Sequence, residues 1–300
     1  MKFGAIDIGT NAARLLIGEV ANEDGYAYVK KHSYTRIPLR LGEEVFENGI
    51  ISKKKAINFS KSMQAFKLIS EIFEVTELRV CATSAMREAR NSLEIQDYIR
   101  QNAGIDIEVI SGSEEAKLIF STFFLLDIDK ELPFIVVDVG GGSTEVSVFE
   151  KGVRVAAKSF KIGTIRLLKE KVNKAIWKQM HNWLSNHVDL SEVHQIYATG
   201  GNINKAHKIL GGTKMSPIQL TNLKGLRDEL DGLSLEDRIN RYQLKPDRAD
   251  VLVPALDIYL YILNELGCSE IIVPKIGLSD GMVYNMYLKH TKINARKNKG

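Results

Sequence analysis

Apolar positions along the chain fall into short runs and into stripes of helical spacing, and the two kinds alternate. Phe3–Ile8 is a short apolar run ending at Asp7-Ile8-Gly9-Thr10-Asn11, and the pattern resumes over residues 13–20, which predicts two strands around a tight turn. The following segment, including Arg36-Ile37-Pro38-Leu39-Arg40-Leu41-Gly42, reads as a loop rich in Arg and Gly. Ser52 then stands as an N-cap before Ile57, Met63, Phe66, Ile69 and Phe73, a roughly helical stripe reaching about Glu74. Residues 78–82 and 105–110 are strand-like, and 92–101 helical. Ser111 and Glu114 have capping-box spacing, so a helix is predicted to start there and run through 116–126.

Pro133 opens a second block. Phe134–Val139 reads as a buried strand, followed by Gly140-Gly141-Gly142-Ser143-Thr144, an alternating strand at 145–150 and its partner at 154–160. Helices dominate from Ile162 onward, broken by 195–198, Gly200-Gly201 and a strand at 270–273. The longest helical stretch starts after Pro246 and ends near Gly267, and Trp177 and Trp183 fall on an amphipathic helix as core or interface residues.

The two blocks open alike. Ala5-Ile6-Asp7-Ile8-Gly9-Thr10-Asn11 and Val136-Val137-Asp138-Val139-Gly140-Gly141-Gly142 share an apolar strand, an Asp, an apolar residue and a glycine turn. Asp7 and Asp138 lie 131 positions apart (138 − 7), about one domain length, which predicts two related lobes facing each other across a cleft. The expected division is 1–124 and 125–300.

Length and composition agree with two soluble lobes: 300 residues, 44% hydrophobic and 26% charged. No apolar run reaches the roughly 20 residues of a membrane helix, and Asp7 sits where a signal peptide would need an apolar core, so neither membrane insertion nor export is expected. Two cysteines, Cys81 and Cys268, cannot make a disulfide framework, and a cytoplasmic chain is expected. The net charge of +4 does not point to DNA or RNA as a partner. Lys289, Lys292, Arg296, Lys297 and Lys299 crowd the last twelve residues without an acid, and the rest is close to neutral. A homodimer is the starting expectation because symmetric dimers are the commonest assemblies.

Glycine turns let several backbone N–H groups converge on one phosphate, since no Cβ blocks the approach. Candidate phosphate-binding residues are therefore Gly9, Thr10, Asn11, Gly140, Gly141, Gly142, Ser143 and Thr144. A hard cation such as Mg²⁺ takes one or two carboxylates plus water and phosphate oxygens, and Asp7, Asp138 and Glu145 are placed for that. A dinucleotide fingerprint is excluded because a strand, not a helix, follows the glycines, and a Walker loop because no Gly-Lys-Ser/Thr follows. Glu114 and Glu115 at a helix start either complement the helix dipole or supply a general base for water. Cys81 and Arg87 have the Cys-x5-Arg spacing of cysteine phosphatases, but no glycine lies between them and Cys81 ends an apolar strand, so a core cysteine is expected.

Taken together the motifs resemble the exopolyphosphatase/guanosine pentaphosphate phosphatase family. The resemblance rests on Gly4-Ala5-Ile6-Asp7-Ile8-Gly9-Thr10-Asn11, Ala82-Thr83-Ser84-Ala85-Met86-Arg87-Glu88-Ala89, Ile110-Ser111-Gly112-Ser113-Glu114-Glu115-Ala116 and Val137-Asp138-Val139-Gly140-Gly141-Gly142-Ser143-Thr144-Glu145. Weaker matches are Ile162-Gly163-Thr164-Ile165-Arg166-Leu167, Ala198-Thr199-Gly200-Gly201, Arg248-Ala249-Asp250-Val251 and Leu278-Ser279-Asp280-Gly281. It implies an α/β fold of two actin-like (ribonuclease H-like) lobes, each a mixed sheet flanked by helices, with a last helix near 279–290 returning to the first lobe. It also implies Mg²⁺- or Mn²⁺-assisted release of terminal phosphate from polyphosphate or guanosine pentaphosphate. By the same resemblance Glu115 activates the attacking water, Arg87 binds phosphate, and Asp138 and Glu145 hold the metal. The chain stops where longer members add a helical region, so processivity on long chains is not expected. Two rival readings stay open: an ATP-dependent phosphotransferase of the same fold, and a non-catalytic sensor of the same anions. Arg36, Arg40, Arg166 and Arg248 are further candidates for an anion groove.

Overall fold

The computed structural model describes residues 1–23, 26–190 and 194–297, and the chain divides into two units. One consists of Met1–Asp127 and the segment from Ile276 onward, the other of Ile128–Lys275. Each is built on its own mixed sheet flanked by helices. The break falls at Asp127 rather than after residue 124.

In the first unit β1 (Phe3–Ile8), β2 (Ala13–Glu23), β3 (Tyr26–Ile37), β4 (Glu77–Ala82) and β5 (Glu108–Val109) form a sheet in the order β3-β2-β1-β4-β5. β1 runs antiparallel to β2 and parallel to β4. Every residue of β1 is buried, which is why its sequence reads as a nearly unbroken apolar run. Helix Lys53–Ile72 starts at Ser52, whose hydroxyl accepts the Lys55 N–H at 3.3 Å. Its Ala56, Phe59, Met63 and Phe66 recur at helical spacing and are buried in the core that Ile95 and Ile99 of helix Ser92–Ala103 join.

Of the segment read as an Arg/Gly loop, only Pro38, Leu39 and Arg40 lie outside regular structure, between the end of β3 and the start of helix Leu41–Asn48. β3 is an edge strand, so its Lys30, Lys31 and His32 need no apolar alternation, and the ladder to β2 supplies the order. The strand expected at 105–110 shrinks to the two residues of β5. The helix expected through 126 stops at Ser121, and a 3₁₀ turn, Thr122–Leu125, follows. There the hydroxyls of Ser121 and Thr122 donate back to the carbonyls of Leu118 (2.6 Å) and Ile119 (2.5 Å), the local competition that makes these residues poor helix formers.

The C-terminal helix, Leu278–Lys297, packs on β1, β2 and helix Gly112–Ser121, burying Met282, Val283 and Met286. Its later turns are fastened to the start of β4: His290 Nε2 lies 2.7 Å and Lys289 Nζ 3.2 Å from the Glu77 carboxylate. Burial pushes the Glu77 carboxyl up, yet the bonds from His290 and Lys289 outweigh this and hold it below its ordinary value of 4.5. A carboxylate depressed by folding contributes stability above its unfolded pKa and loses it as the pH falls through the folded value. Acidification below about pH 4.5 is therefore expected to lower amide-exchange protection at this end of the helix first. Glu77→Gln should abolish that acid dependence.

In the second unit β6 (Phe134–Val139), β7 (Thr144–Glu150), β8 (Val153–Phe160), β9 (Gln195–Thr199), β10 (Pro217–Gln219) and β11 (Glu270–Ile272) form the order β10-β11-β9-β6-β7-β8. Apart from the added β10, this repeats the order of the first sheet, with a meander of three strands and then parallel additions beside the first of them. That is the ribonuclease H-like arrangement that the family resemblance implies. Helix Leu252–Glu265 buries Leu252, Val253, Ala255, Leu256, Ile258, Tyr259, Ile262 and Leu263, and packs on β6. The long helical stretch after Pro246 is in fact two helices, Pro246–Ala249 and Leu252–Glu265. Pro254 falls in the first turn of the second, where its missing N–H costs little, so the helix restarts just ahead of it. Trp183 packs edge-on against Phe160 at 5.8 Å and Trp177 lies 4.6 Å from Tyr261, both as packing residues. Among the described residues no helix is long and apolar enough to cross a membrane.

Candidate active site

In the first unit the turn between β1 and β2 is drawn tight by the Gly9 N–H, which donates to the Ala12 carbonyl at 3.1 Å. The Thr10 carbonyl accepts from Gly42 N–H at 3.0 Å and the Asn11 carbonyl from Arg40 N–H at 2.9 Å. These donors sit where helix Leu41–Asn48 begins. The Thr10 hydroxyl lies 2.7 Å from that of Ser84, joining the turn to the short helix Ser84–Glu88 that carries Arg87.

The second turn is built the same way. The Gly140 N–H donates to Ser143 at 2.9 Å. The Gly140 carbonyl accepts from Thr164 N–H at 3.0 Å, and the Gly141 carbonyl from Ile165 at 2.8 Å and Arg166 at 3.2 Å. The Gly142 carbonyl accepts from the Arg166 side chain (Nε) at 2.9 Å. A trans peptide plane sets its C=O and the following N–H on opposite edges. Three consecutive carbonyls drawn toward residues 164–166 therefore turn the N–H groups of Gly141, Gly142 and Ser143 the other way, as a set of donors for an anion. Gly163 makes this possible: a Cβ there would stand 2.6 Å from the Gly141 carbonyl carbon and from the Gly142 nitrogen. Thr144 is turned inward, its hydroxyl donating to the Ile162 carbonyl at 2.8 Å.

Acids flank both turns, with different partners. Asp7 stands opposite Arg14 in the β1–β2 ladder and binds its guanidinium at 2.8 Å. Arg14 in turn stands opposite Arg36 of β3, so this row carries two guanidinium groups against one carboxylate. Asp138 instead stands opposite Glu145 across β6 and β7. Like charges facing each other destabilise a strand pair unless a cation joins them. Thr199 Oγ1 donates to Asp138 Oδ1 at 2.6 Å and Ser159 Oγ to Glu145 Oε1 at 2.7 Å, which fixes the orientation of both groups. A facing pair of oriented carboxylates fits a hard divalent cation such as Mg²⁺ or Mn²⁺.

Behind Asp138, the Tyr259 hydroxyl donates to the Thr199 carbonyl at 2.5 Å and accepts from Val139 N–H at 3.3 Å. Full burial, reinforced by the Asp138 charge, pushes the Tyr259 phenol well above its ordinary pKa, so it stays a neutral donor. Gly200 closes this corner at φ +114, within a backbone conformation that side chains rarely adopt. No pattern in the sequence marks Tyr259 or Ser159 as site residues; only the ladder and the helix packing bring them there.

Arg87 and Glu115 meet in the first unit. Ser111 caps helix Gly112–Ser121 by accepting the Glu114 N–H at 3.1 Å. The Glu114 side chain turns to Arg79, at 3.4 Å, while Glu115 is buried. Arg87 Nη1 donates to the Ile110 carbonyl at 2.7 Å and lies 4.0 Å from Glu115 Oε2. The two glutamates, alike in sequence, thus differ in surroundings. Cys81 is buried, and desolvation pushes its thiol up to about 12, which removes it as a nucleophile. Of the candidate groove cations, Arg166 is a buried brace of the second turn, Arg40 pairs with Glu43 at 2.7 Å, and Arg248 donates to the Gly201 carbonyl at 2.6 Å.

Comparison with known proteins accords with this geometry. The chain is 27% identical over 296 residues to the bifunctional 3-dehydroquinate synthase/phosphatase of Fusobacterium nucleatum, covering 90% of this chain and 44% of that protein. It is 30% identical over 170 residues to exopolyphosphatase 1 of Mycobacterium bovis, covering 57% of this chain and 48% of the relative. The chain thus spans about half the length of the curated relatives it matches. The crystal structure of an exopolyphosphatase from Cytophaga hutchinsonii superposes with a TM-score of 0.80 at 23% identity, covering 95% of this chain and 97% of that one, which shows the fold. The model of the Ppx/GppA phosphatase family matches residues 29–290. The chain belongs to the Ppx/GppA phosphatase family.

Proposed function

We propose that the protein is a hydrolase that releases terminal phosphate from a phosphoanhydride chain, inorganic polyphosphate or guanosine pentaphosphate, by attack of water. The observation that carries this reading is the Gly140–Ser143 turn, whose carbonyls are tied back to residues 164–166 and leave its N–H groups on the opposite edge. The relatives named for exopolyphosphatase activity support the substrate class.

Phosphoryl transfer asks mainly for positioning and charge neutralisation. In this reading the N–H groups of Gly141, Gly142 and Ser143 bind the non-bridging oxygens, and Arg87 offsets their charge. Asp138 and Glu145 would hold a divalent cation, which supplies Lewis-acid stabilisation of charge on the phosphoryl oxygens. Asp7, engaged by Arg14, orients that guanidinium rather than holding the metal. Glu115 accepts the proton of the attacking water as its oxygen bonds to the terminal phosphorus. The anhydride P–O bond breaks, and the bridging oxygen leaves on the shortened chain.

The test is a phosphate-release panel over pyrophosphate, short and long polyphosphate, ATP and guanosine pentaphosphate. Release from polyphosphate or guanosine pentaphosphate without any carbon acceptor is expected, together with its loss in EDTA and its return with Mg²⁺ or Mn²⁺. Transfer that requires an acceptor would instead establish a phosphotransferase. Tight binding without turnover would establish a sensor.

A further inference from the structure

Helix Gly112–Ser121, which carries Glu115, is held from behind by the start of the C-terminal helix. Gly281 approaches it so closely that a Cβ would stand 2.0 Å from the Leu118 carbonyl oxygen and 2.6 Å from its carbon. Leu118 follows Glu115 by three residues, within one helical turn of it. The obstructing atoms are backbone, so no side-chain rotation relieves the collision and the helix itself must move. The first turn of the C-terminal helix is in turn fixed to the sheet. Asp280 is buried, lies 2.8 Å from Lys31 Nζ of β3, and accepts the Gly277 N–H at 3.1 Å.

The geometry points to Gly281 as a positioning residue for Glu115: its lack of a side chain sets the depth at which the Glu115 helix sits, and the Asp280–Lys31 pair fixes that depth against the sheet. The inference rests on the assignment of Glu115 as the base. Close-packed interiors transmit a displacement rather than absorb it, and a misplacement of about 1 Å in a reacting group can cost about a hundredfold in rate. Gly281 lies outside both glycine turns, so substrate affinity does not depend on it.

Gly281→Ala is the test, with Gly277→Ala as its control, since a Cβ at Gly277 meets open space. Gly281→Ala is expected to lower kcat about a hundredfold with KM within about threefold, and Gly277→Ala to change neither. Crystal structures of wild type and Gly281→Ala should show the Glu115 carboxylate displaced by about 1 Å relative to β1 and β4. An unmoved carboxylate overturns the inference whatever the substrate. So does a wild-type kcat in Gly281→Ala when Glu115→Gln is inactive, or an effect confined to KM. Absence of phosphate release by wild type defeats the hydrolase reading instead, and the displacement still decides the positioning claim. If Gly281→Ala does not fold, Asp280→Asn loosens the same clamp without added bulk and should show a smaller fall in kcat at unchanged KM. An unaltered kcat there overturns the inference.

Discussion

Replacing Glu115 with Gln is expected to lower turnover about a hundredfold or more while leaving substrate affinity nearly unchanged, the scale of losing general acid–base help. The amide keeps the size of the side chain and its hydrogen-bonding reach but cannot take a proton from water. Arg87 has its own anchor on the Ile110 carbonyl at 2.7 Å, so the substitution leaves its guanidinium in place. Glu114→Gln is the matched control: Glu114 turns to Arg79, and its loss should leave turnover at the wild-type level. Steady-state phosphate release, paired with calorimetric binding of a non-hydrolysable analogue, separates the two quantities. Turnover of Glu115→Gln within tenfold of wild type would place the base elsewhere.

Gly163→Ala is expected to damage binding rather than chemistry. Its methyl group would stand 2.6 Å from the Gly141 carbonyl carbon and the Gly142 nitrogen, so the turn must open to admit it. Opening costs the backbone bonds that hold the carbonyls of Gly140 and Gly141 against residues 164–166, and with them the alignment of the outward N–H groups. Overpacking of this kind destabilises by about 1–3 kcal/mol. A lost hydrogen bond to a charged group is worth about 1.5–3 kcal/mol, which predicts a rise in KM of roughly ten- to a hundredfold. Gly225→Ala, in helix Leu220–Asp231 with open space around its Cβ, should instead stabilise by about 0.5–1 kcal/mol. Urea denaturation and KM measured on both variants make the comparison; a Gly163→Ala protein with wild-type KM would show that the turn does not bind the anion.

What could be read from the sequence was whatever local pattern decides. The strand–turn–strand openings at Asp7 and Asp138, the Ser52 and Ser111 caps and the apolar stripe of helix Lys53–Ile72 all signal themselves over a few residues. β3 did not, because an edge strand bearing Lys30, Lys31 and His32 is ordered by its neighbour rather than by its own alternation. β10, three residues opening on Pro217, offers too little pattern to read at all. For the candidate site, the sequence singled out Asp138 and Glu145, and the ladder register supplies the reason to pair them. Arg166 showed the opposite limit. A cation drawn into a buried brace on the Gly142 carbonyl looks, in sequence, like one that meets solvent.

The Asp7–Arg14 pair and the Asp138–Glu145 pair occupy the same place in two sheets of the same order, each seven residues across a glycine turn. One repeat pairs an acid with a base and the other pairs two acids, and in the proposed reading only the second serves a cation.

The first unit is discontinuous, and this bears on how the chain is made. A ribosome delivers residues from the N-terminus at about 5–20 per second, so Ile128–Lys275 is complete before Met282, Val283 and Met286 emerge to cover β1 and β2. During that interval of roughly 7–30 seconds the earlier sheet waits with an apolar face uncovered. The half synthesised first is thus the last to finish folding, and nascent chains stalled before Ile276 should be the species that chaperones capture.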